Sequence, residues 1–289
     1  MQKEIDQYQE YLSRLPVSPH TRRNYLGRVK QYLSWLAGSS DCEKALLESV
    51  ERDFAIHDYK VKLLQSGRSS NTVNSTLAAL DNFYLYKGLG PSTVRRQDLP
   101  VQAPKALEAE EQRRLLKVIA QNQSHRNRAV VLVMLHCGLR ISEVRQLNMG
   151  DIALSARRHE IVVRCGKNAK RRVVPINTDL AGSMREYLSS VSRSAPESPL
   201  FTSQKGNRLS VQAIDQIVRH FGRDAGVEFS SHSLRHTCLT RLVRAGIDIV
   251  TVAEIAGHSR LETSRRYSLP TEAVKTAAME KLNYGTAQA

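Results

Sequence analysis

The sequence predicts a mainly α-helical protein with a small β-sheet, arranged as a helical bundle followed by a larger α+β domain. Three features carry that reading. Apolar residues recur at helical spacing through roughly the first ninety positions. The stretch 88–105 then holds three prolines and two glycines and has no helical period. Near 160–176, the β-branched runs EIVVRC and RVVPI flank Gly166-Lys167-Asn168-Ala169-Lys170, the pattern of a hairpin with a basic tip. At 289 residues the chain can hold one large or two ordinary domains, and 41% hydrophobic with 25% charged residues excludes a disordered or collagen-like chain.

In chain order, Ile5, Tyr8, Leu12 and Leu15 trace a first helix ending before Pro16. Ser18-Pro19 supplies an N-cap with proline at the first helical position, opening a second helix with Tyr25, Val29, Tyr32, Leu33 and Leu36 on one face, stopping at Gly38. One or two helices cover about 43–65, and a last one starts at Ser69 or Ser70 with Val73, Leu77, Leu80 and Tyr84 inward. The result is a bundle of four or five helices. Two of them look alike: Ser18, Thr21, Leu26, Tyr32 and Trp35 correspond to Ser69, Thr72, Leu77, Phe83 and Tyr86 at a constant offset of 51. Shared capping explains such a likeness. The same N-termini, with Thr21, Arg22, Arg23, Asn71, Thr72 and Asn74 in their first turns, also suit phosphates.

The domain expectation is a bundle over 1–90, a linker over 91–106 and a second domain over 107–289. In the second domain, acids at Glu108, Glu110 and Glu111 open a helix, and AVVLVMLHCG from Ala129 to Gly138 reads as a buried one. Beyond Pro196 the pattern is helical again. It ends in a stripe through Val274, Ala277, Ala278, Lys281 and Leu282.

Lysine and arginine outnumber acids by 43 to 28, a net +15, of which +12 falls beyond residue 104. That field attracts polyanions, and nucleic acid leads among the partner classes. Cys42, Cys137, Cys165 and Cys238 are scattered without a CxxC pair, so neither a disulfide framework nor a zinc knuckle is expected, and a reducing cytoplasm fits. The polar amino terminus and the lack of a long apolar run predict a chain neither exported nor membrane-spanning.

Four segments concentrate phosphate chemistry. In HCGLRISEVRQL, Arg140 emerges just after a buried helix and Gly138; it is either a surface partner of Glu143 three residues on or a fork held by Glu143 and offered to a phosphate. At the hairpin tip, Lys167 and Lys170 either keep an edge soluble or reach a scissile phosphate. In HSLRH, His232 and Arg235 share one helix face. In GHSRLETSRRY, a helix capped by Gly257 is followed by His258, and Tyr267 comes nine positions later.

Taken in order, GLRISE, GK in a hairpin, HSLRH, GHS and the tyrosine nine residues on resemble the tyrosine recombinase (phage integrase) family, including Xer-type recombinases and transposon-borne integrases and resolvases. The resemblance covers nearly the whole chain. It implies an N-terminal core-binding, SAM-like bundle that grips DNA through the two Ser-x-x-Thr helices, and a C-terminal α+β catalytic domain. The implied active site is Arg140, Lys167, His232, Arg235, His258 and the nucleophile Tyr267, with Glu143 supporting. Lys167 is chosen over Lys170 because it directly follows Gly166. The chain departs from the family after HSLRH, where Thr237-Cys238-Leu239-Thr240 replaces Ser/Thr-Phe-Ala-Thr.

The implied function is site-specific recombination through a 3′-phosphotyrosine. No cofactor is implied: neither ATP nor a metal enters the chemistry, and the sequence has no GxxxxGK[ST] loop. Implied partners are double-stranded DNA with paired binding sites and further copies of the chain, forming a tetramer on the synapse. The helix after Tyr267 would couple protomers or pack on its own domain. Accessory DNA-binding proteins are left open, and the expected setting is the bacterial cytoplasm, on the nucleoid while bound. The alternatives are a type IB topoisomerase-like enzyme, sharing the phosphotyrosine, and a helix-turn-helix regulator built on 233–245 and 248–256.

Overall fold

The computed structural model describes residues 2–39, 41–99, 106–155, 158–164, 171–191 and 195–258. It divides into two compact units, Met1–Val101 and Gln102–Ala289. Among the described residues, no helix is long and apolar enough to cross a membrane.

The first unit consists of α1 (Gln2–Arg14), α2 (Pro19–Leu36), α3 (Cys42–Leu47), α4 (Ser49–Gln65) and α5 (Ser70–Tyr86). The region 43–65 is two helices because Glu48 takes an extended conformation, φ −121° and ψ 131°, between them. The expected faces are the buried ones: Tyr8, Leu12, Val29, Tyr32, Leu33, Ile56, Val73, Leu77, Leu80, Phe83 and Tyr84 form one core. Within it the hydroxyls of Tyr32 and Tyr84 meet at 2.8 Å, so each polar tip is satisfied at little cost. Desolvation by burial pushes both phenols far above the usual range.

The two look-alike helices start identically. Ser18 and Ser69 have φ,ψ of −63°,151° and −62°,150°, and each side chain accepts the backbone N–H three residues on, from Thr21 and Thr72. Residues 91–99 are tied to this unit. Asp81 accepts from the Ser92 hydroxyl at 2.8 Å and pairs with Arg96, and the Asn74 amide makes a reciprocal pair with the Gln97 backbone at 2.8 and 2.7 Å. Buried Arg52 donates to the carbonyls of Leu89 and Gly90.

The second unit contains α6 (Ala109–Gln121), α7 (His125–Cys137), α8 (Ile141–Gln146), a 3-10 turn at Met149–Asp151, β1 (Ile152–Ser155), β2 (Arg158–Arg164), β3 (Arg171–Pro175), α9 (Thr178–Ser189), α10 (Val211–Ala225), α11 (Ser231–Arg244) and α12 (Ile249–Ala256). Helix α7 is buried from Ala129 through Leu135 because α9 and α11 pack on it, which is why its sequence is apolar all round. The antiparallel sheet runs β1-β2-β3, with Ile161 opposite Val174 and Val163 opposite Arg172. Ile161, Val163 and Val174 enter the core. Strand β3 also touches α12, which sets the geometry of the site. The expected hairpin tip, residues 165–170, and the stripe at 274–282 lie outside the described residues.

Candidate active site

Two left-handed glycines and two helix starts build one corner of the second unit. Helix α7 ends on Gly138, at φ 60°, and the turn delivers Arg140 to the N-cap of α8. One turn in, Glu143 reaches back to accept the Arg140 backbone N–H at 2.8 Å. Helix α12 ends on Gly257, at φ 63°, and His258 closes the cap by donating its N–H to the Ala253 carbonyl at 3.0 Å. Ser230 caps α11, which carries His232 and Arg235 in its first turns.

These elements converge on Glu143. Arg140 donates to its Oε1 at 3.0 Å, and Arg172 donates to both oxygens at 2.9 Å. A terminal nitrogen of Arg235 lies 4.0 Å from Oε2. The same guanidinium groups hold the end of α12. Arg172 Nε donates to the Ile255 carbonyl at 2.8 Å, Arg235 to Ala256 at 2.7 Å and to Gly138 at 2.5 Å, and Arg140 to Gly257 at 3.4 Å. Free carbonyls at a helix C-terminus carry partial negative charge and suit cations.

Burial alone would raise the Glu143 pKa; the Arg172 hydrogen bonds and charge, with the Arg140 backbone bond and charge, outweigh it and hold the carboxyl below its usual range. It is therefore an anion, and it faces three guanidinium cations. The corner keeps a positive surplus, suited to a phosphate. Arg235 forms its floor with the side chain 3% exposed, while Arg140 stands at the rim with 38% exposed. His258 Nε2 lies 2.9 Å from an Arg235 nitrogen.

The structure thus brings Arg140, Glu143, Arg235 and His258 together. His232 is exposed on α11, with its ring 4.7 Å from that of buried His236. Lys167, Lys170 and Tyr267 lie outside the described residues. Arg172 was absent from the sequence reading; its signal is a charge on strand β3 in register with inward Val174, opposite buried Val163.

In the first unit, Arg23 and Asn71 are exposed in the first turns of α2 and α5. Thr21 and Thr72 are engaged in the serine caps, Asn74 with Gln97, and Arg22 with the Leu15 carbonyl at 2.7 Å. Arg23, Arg28, Lys30, Lys62 and Arg68 line a groove of about 810 Å³. Lys62 lies 5.7 Å from the Trp35 ring centroid.

Residues 105–273 match the family model described as the phage integrase family, and residues 5–88 match the phage integrase N-terminal SAM-like domain. The chain belongs to the phage integrase family. Among its relatives, "Tyrosine recombinase XerA" of Thermococcus kodakarensis is 36% identical over 96% of this chain and 94% of its own length. "TnP I resolvase" of Bacillus thuringiensis is 27% identical over 96% and 98%. The solved structure of the Tn1549 transposon integrase in complex with circular intermediate DNA has the same fold, with a TM-score of 0.74, 18% identity, and 97% and 98% of the two chains covered. This family member is a site-specific tyrosine recombinase, an enzyme of DNA strand breakage and rejoining. The topoisomerase and regulator readings are not favoured.

Proposed function

We propose that this recombinase breaks and rejoins duplex DNA at paired binding sites, with the corner at Glu143 holding the scissile phosphate. Arg140 and Arg235 neutralise its non-bridging oxygens, and His258 adds a hydrogen bond. A guanidinium only donates, so His258 Nε2 accepts from Arg235 and Nδ1 is the ring's donor. Tyr267 attacks phosphorus through its hydroxyl oxygen. The bond from phosphorus to the 5′ oxygen breaks, and Lys167 supplies that oxygen's proton. His232 takes or relays the phenolic proton; an unperturbed tyrosine, with a pKa of roughly 10, needs such help at neutral pH.

The products are a 3′-phosphotyrosine and a free 5′ hydroxyl. The phosphoester bond is conserved, so the 5′ hydroxyl of a partner strand reverses the step and seals the exchange. Strand exchange between two duplexes engages four such active sites, hence a tetramer on the synapse, coupled by the segment after Tyr267. The first unit adds grip through Arg23, Asn71 and the basic groove, and the similarly folded Tn1549 integrase in complex with circular intermediate DNA supports a DNA partner. The recombinase, resolvase and transposon integrase among its relatives support excision, resolution or integration as the task.

The observation that carries this reading is the convergence of Arg140, Arg235 and His258 from three separate chain regions on one corner with surplus positive charge. The test is a duplex bearing the binding site and a nick just 3′ of the scissile phosphate, so that the short 5′-hydroxyl fragment diffuses away after cleavage. A covalent protein–DNA adduct resistant to denaturant supports the reading. Site-specific binding with no adduct contradicts it.

A further inference from the structure

We propose that Arg172 is a positioning residue of the phosphate clamp, acting through Glu143 and the last turn of α12; this rests on reading that corner as the clamp. Arg172 has both terminal nitrogens on the two Glu143 oxygens at 2.9 Å and its Nε on the Ile255 carbonyl at 2.8 Å. Each of its nitrogens is thus committed to the protein, and its side chain is only 11% exposed. It does not serve as a phosphate ligand. It fixes the groups that do.

The fork-to-carboxylate pairing has a specific consequence. The Arg140 guanidinium meets Glu143 at Oε1, at 3.0 Å, while Oε2 takes the Arg140 backbone N–H at 2.8 Å, and the other guanidinium bonds, to the Ala256 and Gly257 carbonyls, are long at 3.4 Å. Arg140 is aimed by Glu143 without being cancelled by it. Remove Arg172, and both Glu143 oxygens turn to Arg140 and Arg235, drawing the clamp inward and consuming its charge surplus.

The second tie is to α12. The helix end presents the Ala256 carbonyl to Arg235, the Gly257 carbonyl to Arg140, and His258 to Arg235, and Arg172 anchors it one residue earlier. Gly257 lies so close that an added Cβ would stand 2.6 Å from an Arg172 nitrogen. Arg172 therefore sets the separation between α8, β3 and α12, and with it the spacing of Arg140, Arg235 and His258. A displacement of about 1 Å in such a clamp costs on the order of 100-fold in rate.

The test uses the full-length protein and two nicked site-bearing duplexes, one with an ordinary scissile phosphodiester and one with a neutral methylphosphonate at that position. On the phosphodiester, Arg172→Met is expected to cleave about 10- to 100-fold more slowly than the unaltered protein, with site binding nearly unchanged. On the methylphosphonate, which asks for less charge neutralisation, the deficit should shrink several-fold. Arg172→Lys keeps the cation but not the fork, so it should show a smaller deficit with the same relief, and it supplies the ratio should Arg172→Met not fold. Equal deficits on both substrates, or none, would overturn the positioning role. Failure of the unaltered protein to cleave either duplex would instead overturn the functional reading beneath it.

Discussion

His258 lies with its Nε2 2.9 Å from a terminal nitrogen of Arg235, although one residue follows the cap of α12, the other sits in α11, and 23 positions separate them. Two features of α12 create this contact. Asp248 caps its start, accepting from the Val250 and Thr251 N–H groups at 2.9 Å, and Gly257 ends it in the left-handed conformation that turns His258 back over Arg235. The imidazole is placed by backbone geometry.

Gly257→Ala tests that placement. An alanine at φ 63° is strained by about 1 kcal/mol or more, and its Cβ would press on the Arg172 guanidinium. The expected outcome is a modest fall in melting temperature with a disproportionate loss of cleavage on the nicked duplex. Cleavage lost only in proportion to folded protein would count against the contact's role.

Acid should loosen the corner, with a defined sign. The folded-state pKa of Glu143 is depressed below its ordinary 4.5, so its contribution to stability is present above that value and is lost as pH falls through the folded pKa. Glu143→Gln removes this contribution and leaves partly buried cations unmatched, at about 3 kcal/mol. Denaturant melts from pH 7 down to pH 3 should show the gap between the two proteins narrowing as the medium becomes acidic. A constant gap would mean that folding does not depress the Glu143 pKa.

Much of this fold was legible in the sequence, for local reasons. The caps at Ser18 and Ser69, the apolar stripes of α1, α2 and α5, and the glycine ends of α7 and α12 each rest on residues within a turn of one another. Strand β1 was not read, since its four residues are half-buried or exposed with no alternation. Arg140, Glu143, Arg235 and His258 were readable as a set because their motifs are short and ordered along the chain. Arg172 was not, because its role exists only once β3 packs on α12 and α8. The basic groove residues Arg28, Lys30, Lys62 and Arg68 were likewise hidden, being gathered from α2, α4 and the turn between α4 and α5 by packing.

The choice between Lys167 and Lys170 has a chemical test. Lys167→Ala should slow cleavage of a normal phosphodiester, yet recover largely on a 5′-phosphorothiolate, whose thiolate leaves without a proton. Arg140→Ala should show no such recovery, because the role proposed for it is charge neutralisation. Recovery by Lys170→Ala and not by Lys167→Ala would transfer the general-acid role to Lys170.

The phosphotyrosine at Tyr267 is tested most directly by comparing the unaltered protein with Tyr267→Phe on the nicked site-bearing duplex. The substitution removes only the hydroxyl proposed to attack, so site binding should stay within about twofold while the covalent adduct disappears. In the unaltered protein, proteolysis of the adduct followed by mass spectrometry should place the nucleotide on the peptide containing Tyr267. An adduct that persists in Tyr267→Phe, or a nucleotide mapped to another residue, would contradict the assignment.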